Sequence, residues 1–422
     1  MDKLVIEGGK RLEGTVNISG AKNACLPILA ATLLSDDKSV IKNIPALRDM
    51  STMLKILKNF GVRVAQDGST ITVEPRGYKK YSAPYELVST MRASVCVLGP
   101  LLAKQRRAEV SFPGGCVIGP RPIDLHLKGM RALGAQLKVE RGYIIADGKK
   151  LKGGNVYLGG HFGSSVLATA NVMMAATLAK GTTVIENAAC EPEVVDLTHF
   201  LIKMGAKIDG VATHRLVIEG VKKLHGAEHS VIPDRIEAGT YILASAVTKG
   251  DITLKNVLPD HMVALIDKLT EAGLEIKKLP GGNLRVRHVR KLKPLDITTL
   301  PYPGFPTDMQ AQFMSLMAVT EGISVITEKI YPERFIHISE LARMGADILL
   351  EGPSAIVKGV KSLSGAPVMA SDLRASAALV LAGLVAKGRT DVQRIYHLDR
   401  GYENIEEKLL GLGANVWREK DK

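Results

Sequence analysis

One cysteine of this 422-residue chain sits in a loop of the kind that moves. The run SFPGGCVIGPRPIDLH places Cys116 among Gly114, Gly115 and Gly119, with Arg121 five residues on. Glycines permit unusual backbone angles, and a loop rich in them can serve as a lid. A nearby cation favours the thiolate, so Cys116 has the setting of an acid or a nucleophile. The plainer reading is a free thiol in a surface loop. A second set of polar residues opens a series of apolar segments: Lys22 and Asn23, Arg92, Ser164 and Ser165, Asp234 and Arg235, Thr307 and Asp308, Asp372 and Arg374. Helix N-termini carry unpaired N–H groups and a positive dipole end, so they attract anions. Ordinary capping suffices for Ser164 and Asp372. It does not account for Lys22 or Arg92, whose cations oppose the dipole. An anion bound beside them would, so the expected ligand is anionic and phosphorylated.

The elements that must position these residues repeat along the chain. A polar helix ending in glycine, then a short strand, appears as NFGVRV, ALGAQL, KMGAKI, EAGLEI, RMGADI and GLGANV. The glycines are Gly61, Gly134, Gly205, Gly273, Gly345 and Gly413, spaced 73, 71, 68, 72 and 68 residues apart. The stretch KLVIEGGKRLEG near the N-terminus returns as RLVIEGVKKLHG, with Leu4 matching Leu216 at an offset of 212. Six copies of about 70 residues therefore fill the chain. Each copy holds one helix apolar nearly all round, which predicts burial, as in LRASAALVLAGLVA. Strands, a charged loop and an amphipathic helix follow, and the closing glycine fits a left-handed cap. The charged loops place Arg48–Asp49, Glu333–Arg334 and Asp399–Arg400 at equivalent points.

The last copy lacks the strand pair that precedes each other buried helix, and residues 1–20 resemble the missing piece. The expected organisation is α/β, with three copies per domain. One domain is 21–230, carrying the Cys116 loop; the other is 1–20 plus 231–422, carrying Asp308. A cleft between them is the expected site.

Composition narrows the function. The chain has 56 Lys+Arg against 43 Asp+Glu, a net charge of +13, with 46% apolar residues. That is globular, not disordered, and the charge suits anionic partners. The N-terminal run MDKLVIEGGKRLEG has no apolar signal region, and no apolar stretch is long enough to span a membrane. Four cysteines without C-x-x-C pairs make neither a disulfide framework nor a zinc site. Together these point to the cytoplasm. There is no G-x-x-x-x-G-K-[ST], H-E-x-x-H or G-x-S-x-G. His126, His199 and His397 show no metal spacing and read as structural. No cofactor and no metal are expected.

SGAKNA (19–24), PGGCVIGPRPIDLH (113–126), PTDMQAQ (306–312), ERF (333–335), SDLRASAAL (371–379) and YHLDRGYENIEEKL (396–409) closely resemble one family. It is the UDP-N-acetylglucosamine 1-carboxyvinyltransferase family of enolpyruvyl transferases, and the resemblance spans the chain in order. It implies an inside-out α/β barrel pair of six repeats. It also implies transfer of the enolpyruvyl group of phosphoenolpyruvate to the sugar 3-hydroxyl, with release of phosphate, as the committing step to bacterial peptidoglycan. By resemblance, Cys116 protonates the methylene carbon and Asp308 is the base at the 3-hydroxyl. Lys22, Arg121 and Arg400 are phosphate-side cations; Arg92, Arg334 and Arg374 complete a positive ring. Asn23 holds the substrate and the tetrahedral intermediate. Arg121, Pro122, Ile123, Asp124 and Leu125 line the uridine. Ser165, Val166, Thr307 and Ile330 give further nucleotide-sugar contacts, and Asp372 stands with them at its helix start. Leu167 departs from the family, where many members carry glycine, and leaves less room for the nucleotide.

Three further readings stand beside this one. The sister transferase acting on shikimate 3-phosphate shares fold and donor but lacks the cysteine motif. A nucleic-acid binder would need basic stripes interleaved with stacking aromatics, and aromatics are only 4% here, with one tryptophan. A weakly catalytic regulatory paralogue is a third possibility that Leu167 leaves open.

Overall fold

The computed structural model describes residues 2–114, 123–161 and 163–420. Two compact units divide these residues: 20–114 with 123–232, and 2–19 with 233–420. Each has its own apolar core. The architecture is mixed α/β.

Among the described residues, six helices have most of their residues buried: α1 (Lys22–Ala31), α2 (Leu98–Gln105), α3 (Val166–Ala176), α4 (Arg235–Val247), α5 (Gln310–Ala318) and α6 (Leu373–Val385). Small residues let them approach closely. A Cβ on Gly99 of α2 would lie 2.2 Å from the carbonyl oxygen of Asn171 in α3. The expected single helix over MRASVCVLGPLLA is instead a 3₁₀ turn, Arg92–Val97, followed by α2. Pro100 explains the break: it has no N–H to bond back to the carbonyl four residues earlier, so the segment before it winds more tightly.

The described strands form six four-stranded sheets and one short two-stranded ribbon. The six share one ladder pattern: a parallel edge strand, then two antiparallel pairings. In the sheet of Pro367–Met369, Arg389–Gln393, β1 (Asp2–Glu7) and Asn415–Lys420, the first pair is parallel and the others antiparallel. The strand β2 (Glu13–Asn17) leaves that sheet and pairs in parallel with Asp251–Lys255. The N-terminal segment therefore serves two sheets, where the sequence suggested that it completes one unit. Outer edge strands such as Arg63–Asp67 and Gln136–Glu140 are charged and largely exposed, which discourages edge-to-edge pairing.

The amphipathic outer helices end as their glycines predict. Gly61, Gly134, Gly205, Gly273, Gly345 and Gly413 all have positive φ, from 81° to 114°. After each, the next N–H reaches back to a carbonyl five residues earlier, as from Val62 to Leu57 at 3.2 Å and Ala414 to Leu409 at 3.0 Å. This left-handed closure satisfies carbonyls that the helix end would leave open. It turns the chain from the outer helix straight into the edge strand.

Candidate active site

In the unit containing residues 233–420, one carboxylate and two guanidiniums meet at the start of α5. Thr307–Met309 form a 3₁₀ turn leading into that helix, and Asp308 is held there by two arginines. Arg334 Nη1 donates to Asp308 Oδ1 at 2.8 Å, and Arg374 Nη2 donates to Oδ2 at 2.7 Å. Both guanidinium groups are buried. Burial alone would push the Asp308 carboxyl up. The charges and hydrogen bonds of Arg374 and Arg334 outweigh it and hold the carboxyl well below the usual carboxylate range.

The arginines are themselves held. Arg334 Nη1 also donates to Thr307 Oγ1 at 3.0 Å, and Arg374 Nη1 lies 3.4 Å from the Tyr402 hydroxyl. That hydroxyl is 2.9 Å from Thr240 Oγ1 of α4, and Gln312 Nε2 donates to the Asp308 carbonyl at 2.9 Å. Asp372 caps α6, its Oδ1 accepting from the backbone N–H groups of Arg374 and Ala375 at 2.8 and 3.1 Å. Its charge also favours the cationic form of Arg334. The His337 imidazole is pushed down to about 4 by burial, which outweighs the opposing charge of Asp372, so it is neutral. Arg400 ends the 3₁₀ segment Ile395–Arg400, and its charge, after burial, keeps His397 low. Pro306 and Met309, which flank Thr307 and Asp308, also border a shallow surface pocket shared with Arg235, His261 and Tyr302.

In the other unit, Lys22 and Asn23 begin α1. The Lys22 ammonium pairs with Asp49 Oδ2 at 2.7 Å, and both side chains are nearly buried. This corrects the sequence argument: a carboxylate of the protein itself supplies an anion for that cation. Arg92 opens the 3₁₀ turn before α2, and its charge bears on His126. His126 is buried against Asn171, its Nδ1 3.0 Å from Nδ2, and burial pushes it down to about 3. It is a neutral structural histidine, as its spacing suggested. Asp124 and Leu125 open the helix Asp124–Ala132, with Ile123 buried before them. At α3 the cap is Ser165, accepting from the Ala168 N–H at 3.4 Å; Ser164 lies in a strand. Val166 and Leu167 are half-buried and pack on the core. Cys116, Arg121 and Pro122 lie outside the described residues.

The structure thus joins Thr307, Asp308, Arg334 and Arg374 directly, with Asp372 beside them. Sequence reasoning missed Thr240, Gln312 and Tyr402 as their supports, and Glu328, whose Oε2 accepts from the Thr307 hydroxyl at 2.8 Å. It also missed Asp49 as the partner of Lys22. Glu328 did leave a signal: it continues the inward phase of Ser324 and Ile326, and a charged residue in that phase requires partners. Among the described residues no cluster of His, Cys, Asp and Glu could hold a metal ion, and no helix is long and apolar enough to cross a membrane.

The chain is 56% identical to UDP-N-acetylglucosamine 1-carboxyvinyltransferase of Myxococcus xanthus (strain DK1622), over 100% of both chains. It is likewise 56% identical to UDP-N-acetylglucosamine 1-carboxyvinyltransferase 1 of Caldanaerobacter subterraneus subsp. tengcongensis, over 99% of both. The chain belongs to the UDP-N-acetylglucosamine 1-carboxyvinyltransferase family. The model of the wider family, EPSP synthase (3-phosphoshikimate 1-carboxyvinyltransferase), matches residues 6–409. Among solved structures, the enolpyruvyl transferase NikO from Streptomyces tendae aligns with a TM-score of 0.89 at 24% identity, over 99% of this chain and 98% of that one. EPSP synthase from Acinetobacter baumannii aligns at 0.76 and 18% identity, over 100% of both chains. At these identities the likeness speaks for the fold alone: that of the enolpyruvyl transferases, mixed α/β throughout.

Proposed function

We propose that this chain transfers the enolpyruvyl group of phosphoenolpyruvate to the 3-hydroxyl of UDP-N-acetylglucosamine, releasing phosphate, as the step that commits the nucleotide sugar to peptidoglycan. The observation that carries the reading is the full-length identity of 56% to relatives bearing that activity in their name.

The chemistry is an addition followed by an elimination. The sugar oxygen bonds to C2 of phosphoenolpyruvate as a proton enters at C3. The proton then leaves C3 as the C2–O bond to phosphate breaks. Asp308 takes the hydroxyl proton, and Cys116 delivers the proton to the methylene carbon. At rest, with both arginines on it, Asp308 is a weak base. It gains basicity when a substrate anion draws one of them away. Lys22, Arg121 and Arg400 meet the phosphate; Arg92, Arg334 and Arg374 complete the positive surroundings. Cations placed in advance stabilise charge that water would otherwise solvate. Asn23 holds the tetrahedral intermediate. Arg121, Pro122, Ile123, Asp124, Leu125, Ser165, Val166, Thr307, Ile330 and Asp372 receive the nucleotide sugar. The reaction needs no cofactor, and the setting is the cytoplasm.

The fold proposed with it is an inside-out α/β barrel pair of six repeats. The common ladder pattern of six sheets and the six left-handed glycines support it. The domains are 21–230, carrying Cys116, and 1–20 with 231–422, carrying Asp308, and both serve one reaction. Phosphate release from phosphoenolpyruvate should require UDP-N-acetylglucosamine. Release driven by shikimate 3-phosphate instead would overturn the reading in favour of the sister activity.

A further inference from the structure

Glu328 is a fully buried carboxylate that the proposed chemistry does not use. It follows the strand Ile323–Thr327 and faces the same way as buried Ser324 and Ile326. Its Oε1 accepts from the backbone N–H groups of Ile330 and Tyr331, at 2.7 and 3.0 Å, and from the Thr299 hydroxyl at 2.6 Å. Its Oε2 accepts from the Thr307 hydroxyl at 2.8 Å. A simple turn-closing role would explain Oε1. It leaves Oε2 unexplained, and that oxygen leads to the reacting residues.

The direction of the hydrogen bonds follows from chemistry. A guanidinium N–H can only donate, so Thr307 Oγ1 accepts from Arg334 and turns its own O–H toward Glu328 Oε2. The lone pairs of Thr307 Oγ1 are then free for Arg334 Nη1, 3.0 Å away. That same nitrogen donates to Asp308 Oδ1 at 2.8 Å. One buried side chain therefore sets the loop that carries Ile330 and, through one hydroxyl, the guanidinium on Asp308.

We propose that Glu328 is a positioning residue for the transfer: through Thr307 it fixes Arg334 against Asp308, and through the Ile330 and Tyr331 amides it fixes the loop that meets the nucleotide sugar. The proposal rests on the function proposed above. Glu328→Gln tests it in the full-length enzyme. The amide oxygen can still receive the two backbone N–H groups, but the NH₂ end donates to Thr307 and reverses the bond. The Thr307 hydrogen must then turn away from position 328, toward Arg334 and Asp308.

Phosphate release is followed with wild type, Glu328→Gln, Thr307→Val and the double variant, with melting temperatures alongside. In Glu328→Gln, kcat should fall on the order of tenfold to a hundredfold, because small misplacements of reacting groups cost that much. KM for UDP-N-acetylglucosamine should rise, and the melting temperature should stay close to wild type. Thr307→Val should lose kcat to a similar degree while the turn at Ile330 is intact. The double variant should be no slower than the slower single one, since both cut one relay. Losses that multiply in the double variant, or a wild-type kcat in Thr307→Val, would overturn the proposal. The Thr307→Val arm decides even if Glu328→Gln fails to fold. A wild-type enzyme without UDP-N-acetylglucosamine-dependent turnover sinks the function and this proposal together. Normal wild-type turnover with unaffected variants sinks this proposal alone.

Discussion

Arg374 reaches Asp308 across 66 residues of chain, its Nη2 2.7 Å from the carboxylate Oδ2. With Arg334 on the other oxygen, two buried guanidiniums share one carboxylate. Asp308→Asn keeps the side-chain shape and removes the base. Turnover should fall by roughly 10²–10⁴-fold, the usual contribution of a general base. Nucleotide-sugar binding should stay measurable by calorimetry. Near wild-type turnover would remove Asp308 from the proton path.

The same pair sets a pH dependence. The arginines lower the folded-state pKa of Asp308 against the opposing push of burial. The stability this brings is present above the unfolded carboxylate pKa and is lost as pH falls through the lower folded value. Arg374→Gln removes one cation, so the Asp308 pKa should rise. The acid limb of the kcat profile should then move to higher pH than in wild type. Coincident acid limbs would show that Arg374 does not tune this group.

Glu237 behaves in the opposite sense. It is buried in α4, with its Oε1 2.6 Å from Lys408 Nζ and its Oε2 2.8 Å from the Ser19 N–H. Burial raises it from 4.5 to about 7, although Lys408 opposes the rise. The folded protein holds this proton more tightly than the unfolded chain, so stability declines as pH climbs from about 4.5 to about 7. The amount is on the order of 3 kcal/mol. Glu237→Gln should flatten that decline in urea titrations at pH 5 and pH 8. An equal decline in the variant would assign the pH dependence to other groups.

Of the four cysteines, Cys116 should be the one that reacts quickly with fosfomycin, an epoxide phosphonate. Cys25, Cys96 and Cys190 are buried. Burial pushes the Cys96 thiol up to about 12, and burial with the nearby Glu191 raises Cys190. Thiols held protonated are poor nucleophiles. Peptide mapping should find one adduct, on the Cys116 peptide. Cys116→Asp should keep turnover and lose sensitivity, and inactivation of that variant at the wild-type rate would reject the assignment.

What the sequence made legible was whatever local chemistry decides. A glycine after a polar helix has one common use, and all six took it. The apolar helices were equally plain, because a helix without a polar face has nowhere to go but inside. The site was legible by residue type at Asp308, Arg334 and Arg374. Nothing in their spacing, however, says that two guanidiniums meet one carboxylate. The partner of Lys22 was hidden for the same reason: Asp49 opens the following outer helix, where a carboxylate reads as an ordinary first-turn residue. Long-range pairings of this kind belong to the packing.

The placement of β1 orders the birth of the molecule. It lies between Arg389–Gln393 and Asn415–Lys420, so Leu4 is paired with Val392 on one side and Arg418 on the other. A nascent chain exposes these first residues hundreds of peptide bonds before their neighbours exist. The stretch from Gly20 to Ile232 contains every sheet and core of its own unit and can collapse while synthesis continues. β1 is thus made long before either neighbour on which its place depends. During that interval its Leu4, Val5 and Ile6, fully buried in the finished fold, remain exposed to solvent and to chaperones.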